Sequence, residues 1–71
     1  MLRPRKIEVL ALVALGYLDK QIANKLGLSY STVRDYIDKI VLKMQARNRT
    51  HAAVLFTLKN KELILEKMKE I

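Results

Sequence analysis

The chain is punctuated at only three places, Pro4, Gly16 and Gly27, and between them its apolar residues recur at helical spacing. No stretch alternates apolar and polar residues for long enough to make a strand, so the fold expected is all-α. Pro4 suits a first helical turn, where its missing N–H has no partner to lose, and Ile7, Leu10, Ala11 and Ala14 follow at i, i+3, i+4 and i+7. Gly16 closes that helix. Asp19 is placed to cap a very short second helix, with Ile22, Ala23 and Leu26 on its inner face and Gly27 as the left-handed residue that ends it. Ser29 is placed to cap a third. Its Val33, Ile37, Ile40 and Met44 fall in one narrow sector facing the core, which leaves Ser31, Arg34, Asp35 and Asp38 on the opposite side.

Gln45 to Arg49 is polar and breaks the pattern, so a loop is predicted there, with Thr50 capping a fourth helix from His51 to about Lys59. Between Ala52 and Leu58 only Thr57 is polar, and apolar side chains on most of a helix's circumference call for a second buried side. The segment 61–71 is amphipathic, with Ile64, Leu65, Met68 and Ile71 on one side and Glu62, Glu66, Lys69 and Glu70 elsewhere. Asn60 either stops the fourth helix or lets it continue; a continuous helix carries Lys61 on the apolar seam, which favours a break. The organisation expected is therefore a domain over 1–60 followed by a C-terminal helical tail over 61–71.

Composition bounds what such a bundle does. At 71 residues there is one domain with a thin core, since folding at this size buries only about 60% of the unfolded chain's surface. Half of the residues are apolar (51%) and 30% are charged, a globular balance, and the formal net charge is +7. With no cysteine, disulfides, thiolate metal sites and thiol catalysis are excluded together. The longest apolar run, Val9 to Leu15, falls far short of the ~20 residues of a membrane span. Met1-Leu2-Arg3-Pro4-Arg5-Lys6 leads into a helical pattern with no small-residue cleavage site, so no secretory signal is read there. The expected location is the cytoplasm, at the nucleoid. One histidine and no convergent polar cluster leave nothing to serve as nucleophile and base, so no enzyme, cofactor or small-molecule substrate is expected. His51 is expected to be exposed in the first turn of the fourth helix, without a second ligand for a metal.

Two short helices joined by Leu26-Gly27-Leu28-Ser29 make a helix-turn-helix, the arrangement in which the first helix locks the inner face of the second and leaves its outer face free for a major groove. Amides at the opening of the third helix, Tyr30 to Thr32, suit a phosphate. Leu10, Gly16, Ile22-Ala23, Leu26-Gly27-Leu28-Ser29, Thr32-Val33-Arg34, Ile40, Lys43 and Asn48-Arg49-Thr50 with Ala52-Ala53 together resemble the LuxR/FixJ/GerE-type four-helix DNA-binding domain. The likeness runs over roughly residues 3 to 64. It implies that Arg34, Asp35 and Asp38 meet base edges. It also implies that Lys20, Tyr30, Ser31, Thr32, Lys43, Arg47, Asn48 and Arg49 lie at the DNA backbone, and that the fourth helix is a place for dimerisation. The departures are Arg3, where the family usually has a Ser or Thr cap, Lys6 for Glu, and Tyr36 for His. The first two weaken the start of the first helix by ~1 kcal/mol. Tyr36 is expected to pack partly against the second helix.

The function expected is sequence-specific binding of double-stranded DNA by a stand-alone transcriptional regulator, with regulation by abundance or by a partner if the chain is full length. A homodimer is expected through Leu55, Phe56, Leu58, Ile64 and Met68. Two features point elsewhere. Asp35 and Asp38 put negative charge on the surface that approaches DNA, where a carboxylate either accepts from cytosine N4 or repels phosphate, or is paired with Lys39 and Arg34 one turn away. Leu42 lies on the same outward side, where a thymine methyl, packing against the fourth helix and a partner surface are all open. The rival function is accordingly a protein-interaction module that keeps this fold and uses an acidic-tipped third helix.

Overall fold

A computed structural model describes residues 2–70, so Met1 and the Ile71 of the amphipathic stripe lie outside the described residues. The chain is all-α, with helices α1 (Pro4–Ala14), α2 (Asp19–Leu26), α3 (Tyr30–Met44), α4 (Arg49–Lys59) and α5 (Lys61–Met68). Pro4 opens α1, and Arg3 before it makes no side-chain cap bond, as the departure from a Ser or Thr cap implied. The Gly16 N–H donates to the Val13 carbonyl at 3.0 Å and φ turns to +89°, so the chain leaves α1 at the glycine. Gly27 ends α2 the same way, at φ +67°, with the Leu28 N–H closing onto the Ala23 carbonyl at 2.9 Å.

α1 packs against α2, α3 and α4 at once. A single stripe cannot serve three neighbours, and the residues that vanish from solvent are the consecutive Val9, Leu10, Ala11 and Leu12. Of the predicted stripe only Leu10 and Ala11 are buried, while Ile7 and Ala14 are half-buried. On α2 and α3 the predicted inner faces hold: Ile22 and Ala23 meet Val33, Ile37 and Ile40 in the core, with Leu26 and Met44 packed at its edge.

Two helix starts differ from the sequence reading. Asp19 does not cap α2. The cap position belongs to Leu18, whose N–H is taken by the Gln21 Oε1 at 2.8 Å, while the Asp19 carboxylate turns to an arginine on another helix. Nor does Thr50 cap α4: Asn48 Oδ1 accepts from the His51 N–H at 2.8 Å and the helix starts at Arg49. Asparagine outranks threonine as a cap, and Gln45, in the left-handed region at φ 55°, has already ended α3. The chain does break at Asn60, whose side-chain amide donates back to the Phe56 carbonyl at 2.9 Å, and α5 follows with Ile64 buried.

Two family departures meet in space: the Lys6 ammonium lies 6.0 Å from the centroid of the Tyr36 ring. Cation and ring thus tie α1 to α3, and Tyr36 is half-buried against the core.

Candidate nucleic-acid interface

α3 is divided lengthwise. Val33, Ile37 and Ile40 are buried, and Ser31, Arg34, Asp35, Asp38 and Lys39 stand in solvent on the other side. Those side chains stay in solvent with α5 in place, and α5 makes its main contact with α4. At the opening of α3, Ser29 Oγ accepts from the Thr32 N–H at 3.1 Å and donates to Thr32 Oγ1 at 2.7 Å, with Ser31 Oγ a further 3.2 Å from Ser29. Three hydroxyls are therefore gathered over the first turn, where the helix dipole favours an anion.

The carboxylates on this face are not alike. Asp35 pairs with Lys39 one turn on, Oδ2 to Nζ 3.1 Å, with both side chains more than half exposed, so its charge is largely answered on its own helix. Asp38 has no ion pair within 4 Å among the described residues, because Arg34, the partner available at i−4, points the other way. Arg34 donates from Nη1 to the Tyr30 hydroxyl at 3.2 Å, its guanidinium is 5.9 Å from the Tyr30 ring, and its Nε is 3.8 Å from Asp19 Oδ2. The Tyr30 hydroxyl first, and Asp19 after it, raise the Arg34 pKa above its ordinary value.

Asp19 has a task other than the cap expected of it. Its carboxylate, 11% exposed, receives a two-pronged bond from Arg49, Nη1 to Oδ1 2.6 Å and Nη2 to Oδ2 3.0 Å. That hydrogen bonding holds the Asp19 carboxyl below the usual carboxylate value against the opposing effect of burial, and raises Arg49 in turn. No local signal could have found the pair, since the partners are 30 positions apart.

The residues implied to lie at the DNA backbone separate into groups. Lys20, Tyr30 and Arg49 line one shallow concavity with Tyr17, Leu18 and Asp19, beside the opening of α3. Ser31 and Thr32 sit above that opening. Lys43, Arg47 and Asn48 are exposed where α3 ends and α4 begins. Two have structural engagements as well: Asn48 caps α4 and Arg49 holds Asp19. His51 is half-buried rather than exposed, its Nδ1 accepting the Arg47 N–H at 3.0 Å. Among the described residues no group of three or more His, Cys, Asp or Glu side chains converges as a metal site requires.

The apolar surface expected for dimerisation needs a correction. Phe56 and Ile64, each only 6% exposed, belong to the chain's own core and cannot face a second copy. α4 turns Phe56 inward with Ala52 and Ala53, and Ile64 is the residue by which α5 is anchored. Leu58 and Met68 remain exposed and Leu55 is half-buried. Val54, not singled out from sequence, joins Leu58, Ala53 and Thr57 in a shallow groove with Val13 and Ala14 of α1. Leu42 is 77% exposed, which removes packing against α4 as its explanation. No helix among the described residues is long and apolar enough to cross a membrane.

Residues 1–56 match the family described as bacterial regulatory proteins, luxR family. Among curated proteins the chain is 51% identical over 49 residues to the uncharacterized transcriptional regulatory protein YvfU of Bacillus subtilis (strain 168), a match covering 69% of this chain and 24% of that protein. It is 42% identical over 53 residues to the transcriptional regulatory protein LnrK of the same organism, covering 75% of this chain and 24% of that protein. It is 33% identical over 54 residues to the response regulator protein VraR of Staphylococcus aureus (strain NCTC 8325 / PS 47), covering 76% of this chain and 26% of the relative. The match thus spans about a quarter of the length of these relatives. With the helix-turn-helix of α2 and α3 and its open outer face, this match shows that the chain belongs to the luxR family of bacterial regulatory proteins and is a DNA-binding domain of that type.

Proposed function

We propose that the domain regulates transcription by seating α3 in the major groove of duplex DNA, with Arg34, Asp35 and Asp38 at base edges and cations at both ends of the helix on the flanking phosphates. The observation that carries this is the solvent-facing side of α3, left uncovered by the final helix while the opposite side is locked in the core. Lys20 at one end and Lys43 and Arg47 at the other supply attraction that carries no sequence information, and the groove-facing side chains supply choice. No catalytic role belongs to this reading.

Fluorescence anisotropy on duplex DNA tests it. Neutralising ~4–6 phosphates per protomer gives a slope of log affinity against log salt of ~−0.9 per phosphate. A flat salt response refutes the proposal. Selection from a random duplex pool then reads the site, with cytosine enriched opposite the aspartates if they accept from N4. The exposed Leu42 beside unpaired Asp38 favours one rival, a protein-binding third helix. Arg34→Ala separates the two, because DNA readout loses ~1–3 kcal/mol for the selected site whereas a protein binder has little DNA affinity to lose.

Homodimer formation is a second part of the proposal. Its surface is built on the exposed Val54 and Leu58 beside the half-buried Val13 and Ala14, with the exposed Leu65 and Met68 of α5 as further apolar surface, in place of the buried Phe56 and Ile64. A twofold pair reads inverted half-sites about one helical turn apart. Sedimentation that finds a monomer both free at micromolar concentration and on DNA refutes this part alone.

A further inference from the structure

We infer that Asp19 is a positioning residue for sequence readout: without touching DNA, its carboxylate directs the Arg34 guanidinium along the first turn of α3 and ties it to the opening of α4 through Arg49. The inference rests on the reading that α3 enters the groove.

One carboxylate serves two guanidiniums unequally. Arg49 has both prongs on it, at 2.6 and 3.0 Å, whereas Arg34 approaches with Nε at 3.8 Å, beyond hydrogen-bond distance but within electrostatic reach. The Tyr30 hydroxyl restrains Arg34 from its other end. A long, flexible side chain that is 51% exposed is thereby given one direction before DNA arrives, which lowers the ordering cost of a base contact. The inequality also decides what happens on binding. Arg34 can leave Asp19 for a base edge without stranding a bare carboxylate at the DNA surface, since Arg49 keeps it neutralised. Remove the carboxylate, and Arg34 keeps only the Tyr30 hydroxyl while Arg49 loses its two-pronged partner, so both cations beside Lys20 are freer to meet any phosphate.

This makes a prediction of opposite signs. In Asp19→Asn, which keeps the shape of the side chain, binding to a scrambled duplex strengthens severalfold at low salt and the salt slope steepens by up to ~1–2. The preference for a duplex selected from a random pool over the scrambled one falls roughly tenfold, the scale of one well-oriented base contact. In an Arg34→Ala background the same Asp19→Asn change leaves that ratio unaltered. Equal weakening on both duplexes, as a purely structural role gives, overturns the inference, and so does an unchanged ratio. A parent protein that cannot tell the two duplexes apart sinks the underlying reading along with it. Should Asp19→Asn fail to fold, guanidinium ¹⁵N spectra of the parent protein decide. The Arg34 Nε resonance shifts on the selected duplex and stays as in the free protein on the scrambled one; an Arg34 Nε resonance that is unmoved on the selected duplex, or moves alike on both, overturns the inference.

Discussion

Ile22→Ala tests the joint on which the helix-turn-helix depends. Ile22 has no solvent exposure, and α2, the helix that carries it, packs on α3 and α1. Trimming it to alanine removes three buried carbons, about 2.4 kcal/mol at ~0.8 kcal/mol per methylene-sized group. A cavity adds to this, because a helix as short as α2 cannot collapse inward without dragging Gly27 and the turn with it; the total expected is ~3 kcal/mol, inside the range of ~2–5 for such truncations. A chain of this size has only ~4–11 kcal/mol of stability to lose. Urea unfolding followed by far-ultraviolet circular dichroism should show an unchanged m-value and a midpoint lowered by ~2–3 M, at a slope of ~1 kcal/mol per M. The melting temperature should fall by ~12–24 °C. A loss below ~1 kcal/mol refutes the reasoning, since that is what a half-exposed isoleucine costs and would mean that α2 is not locked against α3.

The two caps of α4 are separable by mutation: Asn48→Ala should cost ~1 kcal/mol in the same urea assay and Thr50→Ala much less, the reverse of what the sequence pattern alone implies. Gly27→Ala should cost ~1–2 kcal/mol for the left-handed backbone alone, because an added Cβ meets nothing within 4 Å, and helix content should be preserved; a larger loss would mean a clash that the geometry lacks. The pH dependence follows from Asp19, whose folded pKa lies below its ordinary value. Its contribution is fully present above the unfolded carboxylate pKa of ~3.9 and is lost as pH falls through the lower, folded value. The stability gap between the parent and Asp19→Asn should therefore be constant from neutrality to about pH 5 and shrink only below the ordinary carboxylate range. A gap that closes between pH 5 and 7 contradicts the assignment.

What could be read along the chain was whatever has a short-range physical cause. Gly27 needs the left-handed region and Ser29 needs an amide three residues on, and both are written within four positions of each other. The inner face of α3 follows from a single sector, because α3 has one solvent side and one core side. α1 defeated the same logic: with neighbours on three sides, burial follows its circumference, and Val9 and Leu12 are indistinguishable in sequence from residues outside the stripe. Phe56 and Ile64 are buried where a dimer surface is expected for a related reason. An apolar residue on a helix with two apolar sides carries no mark of which side faces its own chain. Asp19 is less legible still, since a carboxylate before a helix satisfies the local rule for a cap so well that the bond to Arg49, 30 residues away, leaves no trace in the pattern.

The Asp19–Arg49 bond bears on how so small a domain keeps its reading helix open. α1 is wrapped by three helices, so much of the hydrophobic anchoring falls on one element and α3 can bury a single sector while leaving the rest wet. A helix held on one side only still has to be held in angle, and apolar contact is poor at fixing angles because it is not directional. The Asp19–Arg49 pair supplies direction, a planar fork joining the first residue of α2 to the first residue of α4, with Tyr30 and Arg34 of α3 beside it. The polar contacts that orient the site are therefore at the helix openings, at the rim of the apolar core, where the net charge of +7 would otherwise push the openings of α2, α3 and α4 apart. On this argument the single negative charge of Asp19 does more for the geometry of the DNA-facing surface than the paired Asp35 on the reading helix itself.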